Sequence, residues 1–494
     1  MPETRPAAAA SFDPAAFATF RFVDVAIDEA SATVALRYAL DDAVTFEETV
    51  SFPDVAWPQD AERRAALRRL AGLLHLLAGV SYFKTAAPPT IVLEPGAGPF
   101  GGRLTPRLRA LLRDVYTLGL GEFAYVNRLD VRERGAWPAA DDGGPGDVPR
   151  LAPTGRTLVP IGGGKDSVVA LEVVQRAGRD AVCFSVGTAG PIVASIAASG
   201  RPHALARRTL SPTIGEVNAN GALNGHVPVT AIVSTIALMA AVLHGADAVA
   251  MANERSASEG NLVWQGLEVN HQWSKGAAFE AAYREVLGEE LVAGLDYRSV
   301  LRPASELAIA RAFSRLERYH PVFTSCNAVF RLDPARRRSN WCGDCPKCRF
   351  VFLALAPWLD PPALRAIFGA DLLDGEGGPA QDDGFADLAG LRQHKPFECV
   401  GEEAESLAAM RLIAGTGPDG APVPGQEAVS GARSGPSPWA GHAVVARLRE
   451  EHLAPLDADP AQSAALLAPF LLHAPAMAAL PDDLRPAVEA VLGA

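Results

Sequence analysis

Residues 156–167, RTLVPIGGGKDS, set an apolar strand against three consecutive glycines, a Lys and a run that turns helical from Val168 to Ala177. A strand feeding a helix through a tight turn is the building unit of parallel, doubly wound α/β sheets. Such sheets bind ligands at the carboxyl ends of their strands. Gly162, Gly163 and Gly164 let backbone N–H groups approach an anion closely, and a helix N-terminus adds partial positive charge. Lys165 has the length to reach a phosphate oxygen. A turn capped only by Asp166 or Ser167 would need neither three glycines nor a Lys. Spacing excludes two familiar phosphate loops. Asp166 follows Lys165 where a Walker loop needs Ser or Thr, and Ser167 stands where the dinucleotide fingerprint needs its last Gly. Gly162, Gly163, Gly164, Lys165, Asp166 and Ser167 are therefore candidates to hold a nucleotide's phosphates.

Outward from this loop the pattern repeats. Residues 181–186 (AVCFSV) and 248–252 read as strands, Pro191 opens a short helix, and the apolar run 227–243 reads as a buried helix. Alternation of strand and helix predicts an α/β domain with a doubly wound parallel sheet over 155–325. Upstream, residues 16–52 alternate apolar and polar as an antiparallel meander, and helical patterns follow at 60–79 and 105–119. These make an α+β N-terminal domain over 12–137, separated by the Pro-, Gly- and Asp-rich stretch 138–155. Downstream come a cysteine-rich lobe and helical segment (326–412), a low-complexity loop (413–440) and C-terminal helices (441–494).

The 494 residues carry 45 Lys and Arg against 57 Asp and Glu, a net charge of −12. No long basic block is present, which argues against a general nucleic-acid or anionic-membrane binder. The N-terminal segment lacks a basic region followed by an apolar one, and the run 227–243 is short and polar for a bilayer span. A cytoplasmic protein is expected, with neither nucleic acid nor membrane as a partner. Only five of the basic residues are Lys: Lys84, Lys165, Lys275, Lys347 and Lys395. In a chain that otherwise uses Arg, these positions suggest a need for a compact ammonium.

Cys326, Cys342, Cys345 and Cys348 follow the pattern C-x15-C-x2-C-x2-C, with Gly343 allowing a tight turn. Four thiolates at this spacing suit tetrahedral Zn²⁺, although an iron–sulfur cluster uses overlapping spacings. A site with four protein ligands is closed and so reads as structural. Three polar clusters remain. Asn253, Glu254 and Arg255 follow the strand 248–252 and are candidates for Mg²⁺, ribose or a carboxylate. His271 and Lys275 lie in 268–276 (EVNHQWSKG), which packs acid/base groups and amides together. Lys395 and Cys399 lie in 394–401 (HKPFECVG), where the Lys would lower the thiol's pKa.

The loop resembles that of the ATP pyrophosphatases, in which Gly162 stands where that superfamily opens with Ser. An ATP loop followed by a four-Cys site also resembles the nucleobase-modifying members of that superfamily. The wider set of segments is more specific. GVSYFK (79–84), GLGEFAYVN (119–127), IGGGKDS (161–167), NGHVPVTA (224–231), NERSAS (253–258), EVNHQWSKG (268–276), NWCGDCPKCRFVFLALAP (340–357) and HKPFECVG (394–401) together resemble the UDP-N-acetylmuramoyl-L-alanyl-L-glutamate epimerase (MurL) family. The resemblance implies a HUP-type PP-loop fold with a zinc-stapled, helical C-terminal part. It also implies an ATP- and Mg²⁺-dependent inversion of the terminal L-Glu of UDP-MurNAc-L-Ala-L-Glu to D-Glu.

Adenylating the α-carboxylate would acidify the α-proton, which explains why an epimerase would carry such a loop. The acid/base pair would come from His271, Lys275 and Cys399. Arg255 and Lys395 would meet the substrate's carboxylates or diphosphate. An ATP-dependent nucleobase or tRNA modifier is the alternative enzyme, and a nucleotide-sensing module with an inactive loop is the non-enzymatic one. The modifier would bind RNA with strong salt dependence, and the module would bind ATP without making AMP.

Overall fold

The computed structural model describes residues 11–331, 334–392, 396, 398, 400–414, 437–453 and 468–493. Eleven strands are present among them: β1 (Thr19–Asp28), β2 (Thr33–Leu40), β3 (Val44–Ser51), β4 (Thr90–Gly96), β5 (Arg156–Pro160), β6 (Asp180–Val186), β7 (His203–Thr209), β8 (Ala248–Met251), β9 (Leu262–Trp264), β10 (Leu267–Val269) and β11 (Asp296–Ser299). Nine form one sheet in the order β11-β8-β5-β6-β7-β3-β2-β1-β4, and β9 and β10 make a separate hairpin.

The run β11-β8-β5-β6-β7 is parallel throughout. Its central strands β8, β5 and β6 are largely apolar on both faces, as burial under two layers of helices requires. Leu158, Val182, Phe184 and Val249 point into one core with the helices Ala61–Ala78 and Val229–Leu243. Their neighbours Val159, Ala181, Cys183 and Ala250 point into the other, with Lys165–Arg176 and Glu306–Ser314. This is the expected α/β architecture with helices on both faces. The run read as a buried helix is one: Ile232, Ile236, Met239 and Ala240 are fully shielded. No helix among the described residues is long and apolar enough to cross a membrane.

The meander expected over 16–52 is β1–β2–β3, antiparallel, with β4 added parallel to β1. Its alternation buries Phe20, Phe22, Leu36, Tyr38 and Phe46. β3 pairs antiparallel with β7 over Thr49–Ser51, so the strands on either side of 138–155 meet in one sheet. An ion pair holds that seam: Arg208 donates from Nε and Nη2 to the two oxygens of Glu48, at 2.6 and 3.1 Å. Tyr82 adds its hydroxyl to the same carboxylate at 2.8 Å. Glu48 is fully buried, so it is tolerable only because all these donors reach it.

The chain after β11 packs its helices Glu306–Ser314, Pro346–Leu355 and Glu403–Ala414 into the second core. Within 350–368, Pro357, Pro361 and Pro362 divide the helical stretch. The helix Pro346–Leu355 ends, and Asp360 caps a new one at Pro361–Phe368 by accepting from Ala363 N–H. Of the low-complexity loop, 415–436 lies outside the described residues.

Candidate active site

In the parallel run, β5 is flanked by β6 on one side and β8 on the other, so the chain order reverses between β5 and β8. Crevices form at such switch points, beyond the strands' carboxyl ends. A cleft of about 310 Å³ opens at this place. Pro160, Gly162, Gly164, Asp166 and Ser167 line it from the end of β5. Met251, Ala252 and Asn253 line it from the end of β8, and Val229 and Thr230 from the buried helix.

The glycines have separate tasks. Gly163 has φ +83°, a conformation that favours glycine, and its carbonyl accepts the N–H of Thr324 at 2.9 Å. At Gly164 a Cβ would come within 2.6 Å of Ser325 Oγ. At Gly162 a Cβ would meet nothing within 4 Å, so that backbone faces open space. The helix Lys165–Arg176 starts at Gly164 with no side chain capping it. Its first-turn N–H groups keep their capacity to bind an anion.

Lys165 departs from the sequence expectation that it reaches out toward a phosphate. It is 1% exposed and is not on the cleft wall. Its ammonium donates to Asp166 at 2.5 Å and to Glu306. Burial works against its charge, but the two carboxylates outweigh burial and hold the Lys165 pKa above its ordinary value. Burial likewise works against ionised Asp166. Lys165, with Lys347 and Lys275 further off, overcomes it and keeps the carboxyl below its usual range. Glu306 goes the other way: burial first, then the charge of Asp166, pushes it up to about 8. Asp166, Glu254 and Glu306 can bring their oxygens within 4.8 Å of one another, a hard-oxygen donor set of the kind Mg²⁺ takes.

The cations on the cleft wall are Lys275 and Lys347. Lys347 sits between Cys345 and Cys348, so the cysteine lobe contributes to the cleft through Lys347, Ser325 and Phe330. The four predicted thiols do converge: Cys326, Cys342, Cys345 and Cys348 have Sγ atoms within 4.8 Å of one another. The Cys345–Cys348 separation is 3.5 Å and the Cys342–Cys348 separation 3.7 Å. Zn–S bonds of about 2.3 Å give tetrahedral S···S edges of roughly 3.8 Å, so the residues fit that ion. Gly343 takes the predicted turn with φ +75°.

The three remaining clusters separate. Asn253 reaches the cleft and Glu254 joins the acidic group. Arg255 does not reach the cleft. It turns to the C-terminal part, where it donates to the carbonyl of Leu471 and lies 4.0 Å from Glu402. Lys275 lines the cleft and donates to Gln272 at 3.0 Å. His271, four residues earlier, contacts Glu122 through Nδ1. Lys395 and Cys399 lie outside the described residues. Of the described residues beside them, the Pro396 carbonyl accepts from Asn261 at 3.4 Å, and Glu398 accepts from Asn327, which follows Cys326.

A family model of the MurL N-terminal domain matches residues 11–300, and one of the MurL C-terminal domain matches 322–421. The chain belongs to the MurL family. It is 46% identical over 399 residues to the UDP-N-acetyl-alpha-D-muramoyl-L-alanyl-L-glutamate epimerase of Salinispora tropica, which covers 80% of this chain and 84% of that one. The protein of the same name from Xanthomonas oryzae pv. oryzae is 43% identical over 404 residues, 82% of this chain and 87% of its own. That of a Micromonospora species is 46% identical over 405 residues, 80% and 86%.

In this member of the MurL family, four site residues carry a signal too weak to read from sequence. Lys347 stood out only as a rare Lys inside a metal motif. Glu306 opens an apolar helix, where an acidic residue is ordinary. Glu122 and His226 fall within the motifs 119–127 and 224–231 but lie far along the chain from the residue they meet. His226 packs against His271 with ring centroids 4.2 Å apart and the ring planes tilted by 40°. Burial, helped by His271, Lys275 and Lys84, pushes its pKa down to about 4.

Proposed function

We propose that this chain inverts the terminal L-Glu of UDP-MurNAc-L-Ala-L-Glu to D-Glu, a peptidoglycan precursor step, and drives it with ATP. The observation that carries the reading is the switch-point cleft, where the open backbone at Gly162 and an uncapped helix start face Lys275 and Lys347. That arrangement suits a polyphosphate, and the names of the relatives supply the glutamyl substrate. In this reading the parallel sheet is a PP-loop ATP pyrophosphatase domain of HUP type. Ser325 offers on the cleft wall the hydroxyl that the loop lacks at Gly162.

The chemistry follows from charge. Removing an α-proton beside a carboxylate would place a carbanion next to a negative charge. An oxygen of the α-carboxylate attacks the α-phosphorus of ATP, and pyrophosphate leaves. The resulting acyl adenylate acidifies the α-carbon, which loses its proton and regains one on the opposite face. Water then releases AMP and the carboxylate. Lys275 and Lys347 steady the phosphates, and Lys165 keeps Asp166 ionised. Asp166, Glu254 and Glu306 would hold Mg²⁺, which when bound draws charge from the phosphates. The four thiolates would hold Zn²⁺ as a structural staple. His271, Lys275 and Cys399 are the acid/base candidates, and Lys395 and, from beyond the cleft wall, Arg255 are candidates for substrate anions.

Isotope tracing tests the adenylate. With ¹⁸O in the glutamate α-carboxylate, one labelled oxygen appears in AMP. AMP formed without label would overturn the acyl-adenylate route.

A further inference from the structure

The segments that a nucleotide loop does not need meet at one place beside the cleft. Gly119 allows the contact: a Cβ there would come within 3.0 Å of Pro228 and 3.2 Å of Trp273. Gly225 sits as tightly against Phe123, with a Cβ within 3.2 Å of its ring. Lys84 donates to Asn224 and, at 2.9 Å, to the Gly225 carbonyl. Asn127 donates to the Asn224 carbonyl at 2.9 Å. So 79–84, 119–127, 224–231 and 268–276 close around a single cluster, whose centre is Glu122, His271 and His226. Each offers a polar atom within 4.8 Å of the others. The cluster adjoins the nucleotide cleft at both ends. Val229, which lines the cleft, follows His226 by three residues, and Lys275, also on the wall, follows His271 by four. The Lys275 charge is felt by both Asp166 and His226.

We propose that this cluster is the proton-transfer site at which the glutamate α-carbon is inverted, with His271 as the group that meets the α-proton and Glu122 and His226 as positioning residues. The proposal rests on the epimerase reading above. Glu122 accepts Nδ1–H of His271, so the lone pair stands on Nε2, and the carboxylate stabilises the imidazolium that forms. His226 is held neutral against His271, so it packs beside that imidazolium without adding a second charge. The α-C–H bond breaks toward Nε2, and its electron pair moves into the carbonyl of the activated carboxyl. The Lys275 ammonium returns a proton to the opposite face. His271 ends protonated and Lys275 neutral, and exchange with solvent resets both.

The test measures D-Glu formed per AMP released, by full-length wild type, E122Q, E122D and H271N, with solvent deuterium incorporation from L-Glu and D-Glu substrates. D-Glu per AMP falls roughly tenfold in E122Q and roughly a hundredfold or more in H271N, while E122D recovers part of the loss. E122Q also shifts the pH profile of epimerisation. Among the described residues, the titratable or charged groups around the His226–His271 pair include Glu122, Lys275 and Lys84, so the E122Q profile is compared with that of K84M. Near-wild-type D-Glu per AMP in E122Q and H271N, with an unmoved profile, would overturn the proposal. So would a second equivalent of bound metal that H226A loses, which would make the cluster a metal site. If wild type makes neither AMP nor D-Glu with the dipeptide, the epimerase reading itself has failed.

Discussion

Thr324 N–H donates to the carbonyl of Gly163 at 2.9 Å, so the chain entering the four-thiol lobe is fastened to the glycine loop. Two residues on, Cys326 becomes one corner of the thiol cluster, and at the other end Lys347 lies between two more corners. The lobe therefore presents Ser325 and Lys347 to the cleft from a frame that a metal would hold rigid.

Metal removal should loosen that frame. Chelation that strips the ion is expected to weaken binding of a non-hydrolysable ATP analogue roughly tenfold, about 1.4 kcal/mol, which is one charge-assisted contact. K347A should weaken it similarly with the metal in place. Calorimetric titration of both samples reads this, and unchanged affinity in both would uncouple the lobe from the cleft.

Gly164 and Ser325 should behave as a pair. A Cβ at residue 164 meets Ser325 Oγ at 2.6 Å while the backbone there, at φ −92°, accepts any L-residue. G164A alone should cost about 1 kcal/mol of stability, and the same change in an S325A background close to nothing. Urea denaturation of the four proteins in the cycle gives the coupling.

Lys165, Asp166 and Glu306 carry a separable stability. K165M leaves two carboxylates facing each other in a buried place and should cost roughly 3–5 kcal/mol. K165M/E306L removes charge from both sides and should recover most of the stability without recovering AMP formation. A double variant as unstable as the single would mean the pair is not what holds this corner.

His75 sets a pH dependence far from the site. Burial pushes its pKa down to about 4 from the ordinary 6.5, and Nε2 bonds to the Arg37 carbonyl at 2.9 Å. The folded state resists a proton that the unfolded chain accepts, so stability is full above pH 6.5 and is lost as pH falls toward 4. The loss is on the order of 3 kcal/mol. H75L, whatever its cost at pH 7.5, should show a shallower fall between pH 7 and 4.5 in urea titrations.

Local spacing carried the parts of this molecule that were legible in its sequence. The glycine loop, the thiol pattern, the β1–β3 meander and the buried helix Val229–Leu243 each depend on residues within one short stretch. What was not legible depends on partners far along the chain. β7, with Arg207 and Arg208, has no apolar alternation to mark it as a strand, yet it joins the two halves of the sheet because Glu48 neutralises Arg208. Lys165 turns inward because Glu306, 141 residues away, closes over it. Glu122 meets His271 across 149 residues, and nothing in either motif states that distance.

The measurement closest to the central claim is release of AMP and pyrophosphate from ATP and Mg²⁺ with UDP-MurNAc-L-Ala-L-Glu or with UDP-MurNAc-L-Ala, followed by chiral analysis of the glutamate. The account predicts AMP only with the dipeptide, accompanied by D-Glu. D-Glu formed without AMP, or no D-Glu with either substrate, would contradict it.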